Sequence, residues 1–123
     1  MRVAVCGGRN FGHYGLVCSA LNAVHKRHGI TLLIHGGCTG ADQFSAEWAE
    51  GLDIPTRAYP AEWEKHGRRA GPLRNQEMVE HGKPDALVAF PGGWGTADMV
   101  ARAMAAKIPV WKIAPETEEM QGN

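Results

Sequence analysis

The segment DALVAFPGGWGTADM, residues 85–99, joins an apolar run to a glycine-rich loop and then to a helical pattern. The nearly continuous apolar run is typical of a strand that is buried on both faces of a sheet. Glycines let the following backbone turn sharply and approach a ligand closely. The first turn of the next helix adds unpaired N–H groups that favour an anion. The segment therefore predicts a strand, an anion-binding loop and a helix in direct succession.

Two more glycine clusters follow apolar runs in the same way, CGGRNFG at residues 6–12 and HGGCTGAD at residues 35–42. Ligands of open parallel sheets bind beyond the carboxyl ends of the strands, so all three clusters are expected at one edge. The pattern predicts a single α/β Rossmann-like domain over residues 1–114, with a five-stranded, mainly parallel sheet and helices on both faces. The strands are expected at 2–6, 31–35, 54–61, 85–90 and 109–114, the helices at 13–28, 41–52, 74–81 and 96–107, a long loop at 62–73, and a flexible acidic tail at 115–123.

Composition narrows the class of protein. Thirteen basic and thirteen acidic residues give a formal net charge of zero, which disfavours general nucleic-acid binding. The three cysteines form no CxxC pair and the histidines have no metal-binding spacing, so neither a disulfide framework nor a metal site is expected. The N-terminal apolar run is short for a signal peptide and no run reaches membrane-spanning length. We expect a cytoplasmic protein without membrane contact and predict no cofactor.

Five motifs in this order carry a family resemblance: GGRNF, HGGCTGAD, YPAEW, GPLRN and VAFPGGWGTADM. Together they resemble the YpsA-related branch of the SLOG superfamily, over nearly the whole chain. That superfamily includes the LOG ("lonely guy") phosphoribohydrolases and the Rossmann domain of DNA-processing protein A. The resemblance implies a Rossmannoid fold that holds a nucleotide-type ligand at the glycine-rich edge. It also implies a homodimer, for which the face of Ala97, Ala101, Met104 and Ala105 is a candidate unless it faces the core.

LOG enzymes cleave the N-glycosidic bond of nucleoside monophosphates. Their signature is PGGxGTxxE, preceded by an arginine on the helix before, and Arg74 stands where that arginine is expected. The glutamate of the signature falls on Met99, so the carboxylate is missing. The signature's other positions are matched here by Pro91, Gly92, Gly93, Gly95 and Thr96.

The missing acid matters because glycosidic cleavage passes through a cationic state that a carboxylate stabilises. Asp98 is adjacent to Met99, but a helix turns about 100° per residue, so its side chain is expected to point elsewhere. Glu77, three residues after Arg74 on one predicted helix face, is an alternative. Glu62 and Asp42 are further candidates. If only the acid is missing, Met99→Glu is expected to create or raise hydrolysis.

Several side chains near the glycine clusters keep two interpretations. Arg74 is either a bidentate partner of phosphate, and a candidate catalytic residue, or a surface arginine paired with Glu77 or Glu80. Arg9 and Asn10 either contact phosphate or stabilise a turn.

Asp42 either binds a ribose hydroxyl or complements the N-terminus of its helix. Trp94 stacks on a base or a partner chain, or packs as a lid. The basic segment 65–74 either closes over an anionic ligand or is a mobile loop. The complete set of predicted ligand-binding residues is Gly7, Gly8, Arg9, Asn10, Gly36, Gly37, Thr39, Gly40, Asp42, Arg74, Asn75, Pro91, Gly92, Gly93, Trp94, Gly95 and Thr96.

Three functions remain open. The first is binding of a nucleotide or nucleotide-derived ligand by a sensor or sequestering protein. The second is a LOG-like hydrolase or transferase with a relocated acid. The third, a DNA-processing accessory, is disfavoured by the neutral charge.

Overall fold

The computed structural model describes residues 1–114, and the acidic tail expected at 115–123 lies outside these residues. Strands and helices alternate along the chain, as the sequence predicts. A 3₁₀ turn at Gly67–Arg69 joins α3 to α4, and a π-helical turn at Met78–Gly82 ends α4. The elements are β1 Arg2–Cys6, α1 Tyr14–His28, β2 Leu32–His35, α2 Ala41–Gly51, β3 Thr56–Ala58, α3 Trp63–His66, α4 Ala70–Glu77, β4 Ala86–Ala89, α5 Trp94–Ala105 and β5 Val110–Lys112.

The five strands form one parallel sheet in the order β3-β2-β1-β4-β5. Strand β1 is central, and its Val3 pairs with Leu33 of β2 on one side and with Ala86 of β4 on the other. The chain therefore winds outward in one direction through β2 and β3, and then in the other through β4 and β5. The direction reverses between β1 and β4, and ligands of doubly wound sheets bind at such a reversal. The predicted fold class is confirmed.

Alternate residues of the sheet build two hydrophobic layers. Val3 and Val5 of β1 pack on one face with Val17 and Leu21 of α1. The neighbouring strand positions belong to the other layer, which contains Met99 of α5. Because side chains of a strand point alternately to its two faces, a central strand that is covered on both sides is apolar throughout.

One predicted element is wrong. The expected loop at 62–73 contains α3, the 3₁₀ turn and the start of α4. The Gly71-Pro72 pair that suggested the end of a loop lies in the first turn of α4. Proline is tolerated there because the N–H groups of a helix's first turn have no intrahelical acceptor. Within residues 1–114 no helix is long and apolar enough to cross a membrane.

Candidate functional site

A cavity of about 700 Å³ opens at the carboxyl edge of the sheet. Its walls come from the loops after β1, β2 and β4 and from the segment that runs from α3 into α4. It therefore lies where the strand order reverses, the position at which this class of fold binds ligands. Its size is within the usual range of small-molecule sites.

The glycine-rich loops pack on one another at this edge. The backbone N–H of Gly8 donates to the carbonyl of Pro91 at 2.9 Å. Gly40 has φ 77°, and a Cβ there would collide with the carbonyl oxygens of Gly8 and Arg9. A Cβ on Gly92 would approach the backbone nitrogen of Gly8 to 2.7 Å. Close contacts within the protein, with the first glycine loop and at Gly92 also with Thr96, therefore require glycine at positions 40 and 92.

The N-terminus of α5 is the part of the β4 loop that faces the cavity. Gly93, Trp94, Gly95 and Thr96 line it. The helix begins after Gly93 with no side-chain cap, and the backbone amides of residues 94–96 have no acceptor among residues 1–114. A Cβ added to Gly93 or Gly95 would meet nothing within 4 Å. Three unpaired amides thus lie at the positive end of the helix dipole in residues that line the cavity, a geometry that favours an anion.

Arg74 lies in the cavity wall and is held there by hydrogen bonds to backbone carbonyls and to a neighbouring amide. Its Nη1 donates to the carbonyl oxygen of Gly36 at 2.8 Å and to that of Tyr59 at 3.5 Å, and its Nε donates to Oδ1 of Asn75 at 2.9 Å. Within residues 1–114 the guanidinium has no ion pair with an acid, and Nη2 has no hydrogen-bond partner. The alternative of a surface arginine paired with Glu77 or Glu80 therefore does not describe this side chain, whose positive charge is held in place by neutral groups.

Asp42 is a buried carboxylate in the same cavity, with 5% of its surface exposed. Its Oδ2 accepts the backbone N–H of Gly36 at 3.1 Å and that of Cys38 at 3.3 Å. Its Oδ1 is buried without a partner among the described residues. Burial raises the pKa of Asp42 to about 6, against the opposing effects of these amides and of the Arg74 charge. The side chain thus orders the loop before α2 and keeps one acceptor unused.

Asp98 also lines the cavity, which corrects the expectation that it points elsewhere. Met99 packs in the core with 1% of its surface exposed. Because Met99 faces the core, the residue before it on the helix faces α4. Oδ2 of Asp98 accepts Nδ2 of Asn75 at 2.9 Å and Nε of Arg102 at 2.8 Å. Burial alone raises the pKa of Asp98, but these hydrogen bonds outweigh it and the pKa lies below its usual range. The cavity therefore contains an ionised carboxylate one residue before the position that the family signature implies.

The predicted binding residues divide into two groups in the structure. Six of them lie behind the cavity wall or outside it: Asn10, Gly37, Thr39, Gly40, Pro91 and Gly92. Glu77, the alternative acid, does not line this cavity. It lines a separate groove of about 330 Å³, and its Oε2 lies 3.9 Å from Nδ1 of His81. Eleven line the cavity: Gly7, Gly8, Arg9, Gly36, Asp42, Arg74, Asn75, Gly93, Trp94, Gly95 and Thr96.

Sequence reasoning missed part of the lining. Trp63 and Arg68 come from the segment that was expected to be a loop, and the guanidinium of Arg9 lies 5.0 Å from the centre of the Trp63 ring. Arg68 belongs to the basic segment 65–74, for which the sequence left open a position over an anionic ligand, but it was not among the predicted binding residues. Burial, reinforced by the Asp42 charge, raises the pKa of the Cys6 thiol to about 12, so this thiol stays protonated. The other lining residues that were not among the predicted binding residues are Val5, Cys38, Gly71, Pro72, Met78 and Asp98.

The fold and cavity define a Rossmann-like α/β protein with a cavity of small-molecule size at the reversal of its strand order. A family model described as the YspA, cpYpsA-related SLOG family matches residues 1–66. The chain is also 38% identical over 117 residues to the Gene 61 protein of Mycobacterium phage D29, covering 89% of this chain and 93% of that protein. The chain belongs to the YspA, cpYpsA-related SLOG family, as the motifs suggested.

A solved structure supports the fold alone. The X-ray structure of TM1055, a structural genomics target, superposes with a TM-score of 0.68 at 19% identity. The match covers 89% of this chain and 72% of that one.

Proposed function

We propose that this protein binds a nucleotide or nucleotide-derived molecule in the cavity, as a sensor or sequestering protein. The observation that carries the proposal is the uncapped N-terminus of α5, which shares one cavity with the guanidinium of Arg74. Each favours an anion. The carboxylates of Asp42 and Asp98 line the same cavity and feel the Arg74 charge, but neither forms a direct ion pair with this guanidinium among residues 1–114. A phosphate group matches this arrangement because it presents several strong acceptors to amides and guanidinium together.

The outer part of the cavity suits a nucleobase. Trp94 and Trp63 line it and are among the most exposed large apolar side chains of residues 1–114. The Arg9 guanidinium lies over the Trp63 ring, Arg68 lines the same cavity, and both add positive charge to it. An aromatic ring with one face in solvent offers a stacking surface to any base. The proposed ligand therefore places its phosphate at α5 and its base toward the tryptophans.

The experiment is a calorimetric titration of the purified protein with nucleoside mono- and diphosphates and with ADP-ribose. We expect saturable binding of at least one of them. Arg68→Ala removes an exposed arginine from the cavity, and Arg27→Ala removes an exposed arginine from α1. Loss of one charge-assisted contact at an exposed position should weaken binding about fivefold in the first variant and not in the second. Failure of the whole panel to bind, or equal weakening in both variants, would refute the proposal.

A LOG-like hydrolase is the second candidate, and the position of Asp98 favours it. Its ionised carboxylate is held by Asn75 and Arg102 at the cavity wall. During N-glycosidic hydrolysis such a group stabilises the cationic sugar or accepts a proton from the attacking water. The bond from C1′ to the base breaks, a bond from C1′ to the water oxygen forms, and the base leaves with a proton. Chromatography of nucleotides after long incubation tests this candidate, since turnover that Asp98→Asn abolishes supports an enzyme, and intact ligand opposes one.

A homodimer and a cytoplasmic location complete the proposal. The face of α5 that carries Ala97, Ala101 and Met104 is exposed and not core-facing, with Met104 61% exposed. Light scattering coupled to size exclusion gives the mass, and a monomer at micromolar concentration would contradict the dimer.

The proposed cytoplasmic location agrees with the cysteines. All three are unpaired, as is usual in reducing compartments, and cell fractionation tests the location.

A further inference from the structure

Asn75 is a buried amide that joins two charged side chains of the cavity wall. It is 5% exposed and follows Arg74 on α4. Its Oδ1 accepts Nε of Arg74 at 2.9 Å. Its Nδ2 donates to Oδ2 of Asp98 at 2.9 Å and to the carbonyl oxygen of Gly95 at 3.3 Å. Both N–H donors of the amide are therefore used, and only its oxygen can accept from the guanidinium, so its partners fix its orientation.

The same amide connects α4 to the first turn of α5. Gly95 lies in that turn, beside the backbone amides that have no acceptor among residues 1–114. A side chain that is bonded to both helices holds the Arg74 guanidinium at a fixed place relative to these amides. Groups that bind one ligand together need such supporting hydrogen bonds, because small displacements weaken their combined contact.

The amide also keeps two opposite charges apart. Arg74 and Asp98 are bonded to opposite ends of Asn75, and within residues 1–114 they form no direct ion pair. They are close enough to interact, because burial raises the pKa of Asp98 but its hydrogen bonds and the charges of Arg102 and Arg74 outweigh this effect. Without the amide, the carboxylate would be free to pair with the guanidinium, and a paired guanidinium attracts an anion less strongly.

We propose that Asn75 is a positioning residue of the anion site, whose neutral amide holds Arg74 beside α5 and prevents an ion pair between Arg74 and Asp98. This inference rests on the anion site of the proposed function and names a residue that sets its affinity through Arg74. Asparagine fits the position because one short side chain supplies an acceptor and two donors. Aspartate would offer no donor and would place a second carboxylate beside Asp98.

The test compares Asn75→Ala in two backgrounds. In the wild-type background, loss of the amide frees Asp98 to approach Arg74. In the Asp98→Asn background that charge is absent, while the amide oxygen at position 98 can still accept the hydrogen bond from Arg102. A purely structural role of Asn75 predicts the same loss of affinity in both backgrounds. The proposed role predicts a smaller loss where the carboxylate is missing.

Calorimetric titration measures the dissociation constants of inorganic pyrophosphate and of the nucleotides named above for each variant. Asn75→Ala should weaken binding about tenfold or more in the wild-type background, and by no more than about threefold in the Asp98→Asn background. The matched control is Asn22→Ala, which removes the acceptor of Trp48 Nε1 outside the cavity and should not alter affinity. Urea unfolding checks that each variant is folded, and Asn75→Ser in the same two backgrounds replaces a variant that is not.

The outcomes separate this inference from the proposed function. Equal weakening in the two backgrounds, or an affinity that Asn75→Ala leaves unchanged or raises, would overturn the inference while the proposed function stands. Pyrophosphate binding with the expected difference between backgrounds, but without binding of any nucleotide, would refute the proposed function and support the inference. Absence of binding of pyrophosphate and of every nucleotide would overturn both.

Discussion

Asp42→Asn should stabilise the protein at neutral pH, because burial makes the ionised carboxylate costly. The pKa of Asp42 is raised from its ordinary 3.8 to about 6. At about 1.4 kcal/mol per pKa unit, this difference corresponds to about 3 kcal/mol as an upper bound. The variant removes the charge and keeps an acceptor for the amides of Gly36 and Cys38. We expect the free energy of unfolding to rise by about 2 kcal/mol at pH 7.5, which corresponds to roughly 8 °C in Tm for a domain of this size.

The pH dependence gives the sharper test of this reasoning. Because the folded pKa is raised, the native state holds a proton that the unfolded state releases between pH 3.8 and about 6. The contribution of Asp42 to stability is therefore fully present below pH 3.8 and is lost as the pH rises through about 6. The gain from Asp42→Asn should be near zero at pH 4 and constant above pH 7.

Urea unfolding of both proteins between pH 4 and 8 measures this difference, with the exposed Glu50→Gln at the end of the same helix as control. The control should show no such rise in stability between pH 4 and 7. A loss of stability in Asp42→Asn at pH 7.5, or a difference independent of pH, would refute the account of Asp42 as a buried carboxylate whose charge is costly.

The remaining predictions concern α5 and the glycine loops. Gly93→Ala places a methyl group in open space at the amides of α5, so it should fold normally and weaken nucleotide binding at least about tenfold, whereas Gly51→Ala, also in open space, should not alter affinity in the same titration. Gly40→Ala should lower the free energy of unfolding by about 3 kcal/mol in urea, because its positive φ and the facing carbonyls exclude a side chain; a neutral effect would contradict the loop packing. Met99→Glu should destabilise the protein by about 4 kcal/mol without creating hydrolysis, since that side chain is buried in the core, while Met104→Glu on the exposed face should be nearly neutral. A stable Met99→Glu variant that hydrolyses nucleotides would restore the simple missing-acid interpretation.

The sheet and the edge that carries the cavity were predictable from local sequence. The apolar run at 86–90 has no polar position on either face, which only a covered central strand tolerates. Three glycine clusters, each directly after such a run, then fix the edge at which their loops meet, because parallel strands share the direction of their carboxyl ends. Segment 62–73 was misread because Gly71-Pro72 has the composition of a loop, and only the neighbouring helical turns show that it starts a helix.

The sequence did not predict which of the candidate residues face the cavity and which pack inside the protein. Gly40 and Gly92 look like ligand-contacting glycines, yet the atoms that exclude a side chain there belong to the other loops and to the helix that follows Gly92. Asp98 and Met99 show the same limit. The sequence gives their angular separation on the helix, whereas the packing of Met99 in the core decides which of the two faces the cavity. Contacts between distant segments set both outcomes, and a single sequence contains no direct record of them.

The most direct test of nucleotide binding at this edge is a ¹⁵N–¹H NMR titration of the isotopically labelled protein with a ribonucleotide. The proposal predicts saturable shifts of the backbone amides of residues 94–96 and of Gly36, centred on α5 and the β2 loop. Amides of α1, which lies outside the cavity lining, should not move. Shifts confined to other surfaces, or no shifts at millimolar ligand, would contradict nucleotide binding in this cavity.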